Sequence, residues 1–242
     1  PLRSYNDYLT LKNYFLYKDQ IRNYALLTIG IATGLRISDL VALRYGHLYD
    51  TSGNFRRYIA INEKKTGKKT YGIDDNVLIT EAVRQAVDAL KEYTSKKEKR
   101  LLTLDDWLFS SKQCRKNKLI DVEDEEGEIV QAEDPLYGEY VITPIYGHRI
   151  MKTAQKDLNL PINMGSHTLR KTFMCLAYMI ACNLPQHNTS ALQYVQTMAR
   201  HSDLKTTMRY LNITNASTEH IRNQISEFLL GRSDITDIDL KI

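Results

Sequence analysis

Cysteine is scarce in this 242-residue chain. There are three, Cys114, Cys175 and Cys182, and none stands in a CxxC arrangement. Three thiols cannot all pair with one another, so a disulfide framework is excluded, and a zinc site has no ligand spacing to rest on. Cys175 and Cys182, seven positions apart on one helix face, read as buried thiols in a reducing, cytoplasmic compartment. No apolar run is long enough to span a membrane. The opening residues Leu2-Arg3-Ser4-Tyr5-Asn6-Asp7-Tyr8 lack the apolar core of a signal peptide. Internal repeats and low-complexity linkers are also missing. One stretch lacks positive charge altogether: between Asp121 and Glu139 there are nine acidic residues and no Lys or Arg.

What is present is an ordinary globular composition, with 43% hydrophobic and 26% charged residues, in a chain long enough for one or two domains with a substantial core. The formal net charge of +4 conceals the acidic stretch. Without it, 33 basic residues face 20 acidic ones (29 less those nine), a balance of +13. Such a body suits a polyphosphate partner. A solvated lysine-rich surface is the alternative.

Hydrophobic spacing predicts helices over residues 8–17 and 19–32, the second with Ile21, Ala25, Leu26, Ile29 and Ala32 as its apolar stripe. Gly34 ends it, and a short helix from Ser38 to Leu43 follows, which places Arg36 at a packed helix junction. Arg57–Asn62 and Lys69–Ile73 read as strands around Lys64-Lys65-Thr66-Gly67-Lys68, a turn rich in lysine with glycine at its tip. That run is either a solvated charge cluster or a turn that sets one lysine over a phosphate. An amphipathic helix is expected over Val77–Tyr93, then a charged linker from Ser95 to Arg100 and a short buried segment, Asp106–Phe109. Leu119–Val122 and Glu128–Val130 resemble a small acidic hairpin. It is a solvated insertion, a contact with the basic surface of a neighbouring subunit, or a guard that keeps DNA from an unwanted path. Ile145–Leu158 is a helix with His148, Arg149, Lys152 and Lys156 on its polar side. Lys171–Cys182 continues a helix entered at Ser166–Arg170, and Asp203–Tyr210 is a second short one capped by Ser202. Glu219–Leu230 is a final amphipathic helix with Ile221, Ile225, Phe228 and Leu229 as its apolar residues.

Polar chemistry is set into this helical background at His167, Arg170, His201 and Tyr210. The inventory contains no carboxylate ligands and no Cys-His cluster at zinc spacing. It is suited to holding a phosphate and attacking it. A tyrosine hydroxyl, with a pKa of about 10, becomes a nucleophile when a base takes its proton and cations stabilise the reacting group.

The chain resembles the tyrosine recombinases, or phage-type integrases. The resemblance rests on Thr33-Gly34-Leu35-Arg36-Ile37-Ser38-Asp39-Leu40, Lys65-Thr66-Gly67-Lys68, His167-Thr168-Leu169-Arg170 and His201–Tyr210, four blocks in the family's order. It covers about residues 1–215, except Arg115–Tyr140. Two features depart from the family pattern: Arg200 stands where glycine usually precedes the second histidine, and the 31 positions from Arg170 to His201 exceed the usual spacing.

The resemblance implies a mainly α fold with a small antiparallel β-sheet (α+β), as in the family's catalytic domain. It implies a catalytic domain over 1–215 with the acidic insertion at about 115–140, and a C-terminal helix and tail over 216–242 that either folds back or is exchanged between subunits. The family's N-terminal core-binding domain has no counterpart here. Arg36 and Arg170 would clamp the phosphate oxygens, with His201 as a further donor. Lys65 would protonate the leaving 5′ oxygen, although Lys64 and Lys68 share its turn. His167 would accept or orient the Tyr210 proton, and Tyr210 would attack. The implied activity is site-specific DNA recombination through a 3′-phosphotyrosyl link, for integration or excision of a mobile element, with no cofactor and no metal. The implied partners are double-stranded DNA, further copies of the chain in a tetramer, and accessory DNA-bending proteins. Alternatives are a type IB topoisomerase or resolvase with the same chemistry, and a DNA-binding module that no longer cuts.

Overall fold

The structure, a computed structural model, describes residue 2 and residues 4–59, 77–123, 129–134, 136–165, 167–182, 191–198 and 215–231. Within these lie helices α1 (Tyr5–Tyr17), α2 (Ile21–Thr33), α3 (Ile37–Val41), α4 (Glu81–Glu98), α5 (Pro144–Asp157), α6 (His167–Cys182), α7 (Ala191–Met198) and α8 (Asn215–Leu229). Two antiparallel pairs accompany them. Strand β1 (Tyr58–Ile59) lies on β2 (Val77–Leu78), with Tyr58 opposite Leu78. Strand β3 (Leu119–Glu123) lies on β4 (Ile129–Glu133), with Leu119 opposite Glu133. The mainly helical fold with small antiparallel sheets is the one the sequence predicts.

The central element is α2. Eleven of its thirteen residues, Asn23 to Thr33, are buried. A helix without a polar face has to be enclosed, and α2 packs against α1, α3, α4, α6 and α8. Two glycines one turn apart let α6 come close to α2. A Cβ on Gly30 would come within 2.6 Å of Leu169, and one on Gly34 within 2.3 Å of the Phe173 ring. Leu169 and Phe173 are themselves one turn apart on α6 and fully buried. They lead the row Leu169, Phe173, Leu176, Ala177 and Ile180, which follows the 3.6-residue period.

Several boundaries differ from the sequence expectation. Helix α1 starts at Tyr5 because Ser4 caps it: Asp7 N–H donates to Ser4 Oγ at 3.2 Å and Ser4 N–H donates back to the Asp7 carboxylate at 3.1 Å. Val77 and Leu78, expected inside a helix, form strand β2, and α4 begins at Glu81. A short apolar run fits a buried strand as well as a helix, and pairing with β1 decides it. Residues 95–98, expected as a linker, extend α4. Glu92 and Lys96, at 2.5 Å and four residues apart, support that last turn.

The Glu81 end of α4 is finished from far along the chain. Thr80 at its N-cap makes no side-chain capping bond. Instead Ala82 N–H donates to Ser226 Oγ of α8 at 2.8 Å. Ile225, Phe228 and Leu229 of α8 are buried against the body of the chain. Glu219 receives two hydrogen bonds from Arg57, at 2.7 and 2.8 Å, and one from Tyr58. The acidic hairpin adds no residue to this core, although β3 lies beside α5. Leu119, Ile129 and Val130 are exposed, and its base is locked by a buried Arg115–Asp134 ion pair at 2.5 Å.

Candidate DNA-cleavage site

Arg36, His167 and Arg170 are brought to one region by the α2–α6 contact. The chain leaves α2 through Gly34, which takes a left-handed conformation (φ 66°) and donates its N–H to Gly30 O at 3.0 Å. Leu35 and Ile37 on either side are buried while Arg36 is exposed, so the junction is packed and Arg36 lies at its surface. The Arg36 backbone is extended and forms the N-cap of α3, its carbonyl accepting from Asp39 and Leu40.

The first turn of α6 is fixed by a relay of hydroxyls. Gly165 N–H donates to Thr168 Oγ1 at 2.9 Å, and Thr168 N–H returns to Gly165 O at 3.1 Å. The Thr172 hydroxyl donates to Thr168 O at 2.7 Å and accepts Leu2 N–H at 2.9 Å. Half-buried His167 opens this turn, and Arg170 follows three residues later. With Leu169 seated on Gly30 and Phe173 on Gly34, Arg170 Nη1 donates to Gly34 O at 2.6 Å. That oxygen lies two residues from Arg36. The two arginines therefore flank one backbone turn although 134 positions separate them in sequence (170 − 36).

A further arginine, Arg222 of α8, reaches the same turn and was not among the residues singled out in the sequence. It is buried, donates from Nη1 to Thr33 O at 3.1 Å, and lies 5.3 Å from the Phe173 ring centroid. The signal available was its place in the row Arg222, Ile225, Ser226 and Leu229, where charge sits on the apolar face. Lys65, His201 and Tyr210 lie outside the described residues. On α5, Arg149, Lys152 and Lys156 are exposed and His148 is half-buried, the polar side read from the sequence. Cys175 is only half-buried, and that burial pushes its thiol up from the ordinary value. Among the described residues no helix is long and apolar enough to cross a membrane.

Two adjacent carbonyls gripped by guanidiniums, with a third, exposed arginine two residues along the same turn, make a cationic corner. Arginine stays protonated at any working pH and its planar fork matches two phosphate oxygens. The family model described as the Phage integrase family matches residues 5–217. The chain belongs to that family. All six sequence-predicted site positions lie inside the matched span of this integrase-family chain. It is 28% identical over 218 residues to the Bacillus subtilis (strain 168) protein "Probable integrase/recombinase YoeC", covering 90% of this chain and 92% of that one. Its fold is similar to that of the solved XerA recombinase, with a TM-score of 0.50, 16% sequence identity and coverage of 93% of this chain. The chain spans 65% of the length of that solved structure.

Proposed function

We propose that this phage integrase family member is a site-specific DNA recombinase that cuts and rejoins strands through Tyr210, for integration or excision of a mobile element. The observation that carries the reading is the Arg170–Gly34 hydrogen bond, which sets one guanidinium at the turn bearing another. Attack on phosphorus places extra negative charge on the non-bridging oxygens, and preorganised cations are worth most there.

In this reading a scissile phosphate sits between Arg36 and Arg170, with His201 donating to the same oxygens. His167 takes or orients the Tyr210 proton. The phenolic oxygen bonds to phosphorus, the bond from phosphorus to the 5′ oxygen breaks, and Lys65 gives that oxygen a proton. The product is a 3′-phosphotyrosyl ester and a free 5′ hydroxyl. A 5′ hydroxyl from a second duplex then attacks the ester and releases the tyrosine, so no external energy source is consumed and no metal is called upon. Copies of the chain act together on double-stranded DNA, as a tetramer aided by DNA-bending proteins.

The test is a nicked suicide duplex, in which the cleaved fragment diffuses away and traps the covalent product. A DNA–protein adduct is expected with the wild-type chain and none with Tyr210→Phe. Adduct that persists in Tyr210→Phe would move the nucleophile elsewhere. Binding without any adduct from the wild type would leave a DNA-binding module.

A further inference from the structure

We infer that Arg222 is a positioning residue for the phosphate clamp, acting through the Thr33–Gly34 backbone. This rests on the strand-cutting reading above, in which Arg36 and Arg170 contact the phosphate.

Arg222 is 5% exposed. Burying a guanidinium is unfavourable unless its donors are engaged, and a leucine or methionine would fill the same space on the face of α8. Two of its contacts meet at one point. One N–H meets the Thr33 carbonyl, at the end of α2 where carbonyls have no partner within the helix. The α2 dipole there favours a cation. The plane also lies near the ring of Phe173, the residue against which Gly34 packs.

Thr33 O belongs to the peptide unit immediately before the one that supplies Gly34 O. Arg222 therefore holds one carbonyl and Arg170 the next, from α8 and α6 respectively. If the Thr33–Gly34 peptide rotates, Gly34 O turns with it, Arg170 loses its anchor, and Leu35-Arg36 shifts. Without Arg222, both members of the clamp lose their reference while every reacting group remains present. A misplacement on the order of 1 Å at such a site costs roughly 100-fold in rate.

The experiment uses the full chain and single-turnover adduct formation on the suicide duplex, with Arg222→Met and Arg222→Lys. Each is measured on an ordinary scissile phosphodiester and on a methylphosphonate at the same position. The second phosphorus centre is neutral and presents no anionic oxygen pair for the guanidiniums to grip. On the phosphodiester, Arg222→Met is expected to react roughly 100-fold more slowly, and Arg222→Lys by a smaller factor because it keeps the charge. Equilibrium DNA affinity is expected to be nearly unchanged. On the methylphosphonate, the gap between wild type and variant should shrink markedly.

Equal slowing on both substrates would mean that Arg222 serves only general packing, and an unchanged rate would remove it from the site. Either result overturns this inference alone, because the wild type still forms adduct. A wild type that forms none overturns the strand-cutting reading and this inference with it. If Arg222→Met does not fold, Arg222→Lys carries the same two-substrate comparison.

Discussion

At Gly34 the backbone has to satisfy two conditions that a Cβ would defeat. Its φ of 66° turns the chain from α2 toward Arg36, and the Phe173 ring occupies the space a side chain would fill. Gly34→Ala is expected to lose about 1–2 kcal/mol to the left-handed conformation and a further 1–3 kcal/mol or so to overpacking. Gly30→Ala should cost less, because its φ is helical and the nearest atom is a movable Leu169 terminus. Urea midpoints at constant m would rank the two. A second residue sets a pH limit. Arg100 holds the Asp106 carboxylate with two hydrogen bonds at 2.8 Å, and despite partial burial the group falls from 3.8 to about 2. A depressed carboxylate contributes stability above its unfolded value. That contribution should be intact above about pH 4 and lost as pH falls toward 2. Denaturation midpoints of wild type and Asp106→Asn should therefore converge across that window. Arg36 and Arg170 stand in the motifs Thr33–Leu40 and His167–Arg170 that carry the family resemblance, and the fold brings both to the turn at Gly34. Arg222 was not legible in the sequence, since its partner is a backbone carbonyl 189 positions away and carbonyls have no letter in a sequence.

Among the elements, the acidic hairpin depends on what lies at its base. A two-stranded ribbon is marginal on its own in water, and Leu119, Ile129 and Val130 remain exposed. Arg115 supplies the anchor. It donates to Asp134 at 2.5 Å, to Val141 O at 3.1 Å and to Ile142 O, while Asp134 also accepts Leu136 N–H at 3.0 Å. Burial pulls the guanidinium below its usual value and Asp134 opposes that pull. Removing one partner of such a pair leaves a buried charge alone, so Arg115→Met is expected to cost about 3–5 kcal/mol. Adding Asp134→Leu should recover only part of that, because Val141 O and Ile142 O still lose their donor. A double-mutant cycle by thermal melting measures the remainder. The hairpin was readable from alternation around Glu-Glu-Gly, and the period of α6 was readable from its apolar row. The start of α4 was not, because its amide partner is a serine hydroxyl on α8 and Val77-Leu78 alone cannot distinguish strand from helix.

At the scale of the whole molecule, charge is sorted into compartments. Seven carboxylates lie within residues 121–133, while the rest of the chain is strongly basic. Replacing residues 121–133 by a short neutral turn is expected to tighten DNA binding at low salt. The gain should fade toward 1 M, where the Debye length is about 3 Å. Fluorescence anisotropy over a salt series reads both effects, and unchanged affinity at low salt would leave the hairpin a solvated ornament. The order of the helices has a consequence of its own. Arg222 and Ser226, which fasten the Thr33 carbonyl and the Ala82 amide, are made after Tyr210. A nascent polypeptide stopped at residue 214 holds every reacting group in the proposed scheme and lacks both fasteners. If Arg222 aligns the arginines, a chain released before that point carries the reacting groups without their alignment, and its strand cutting is slowed by at least the factor of roughly 100 expected for Arg222→Met.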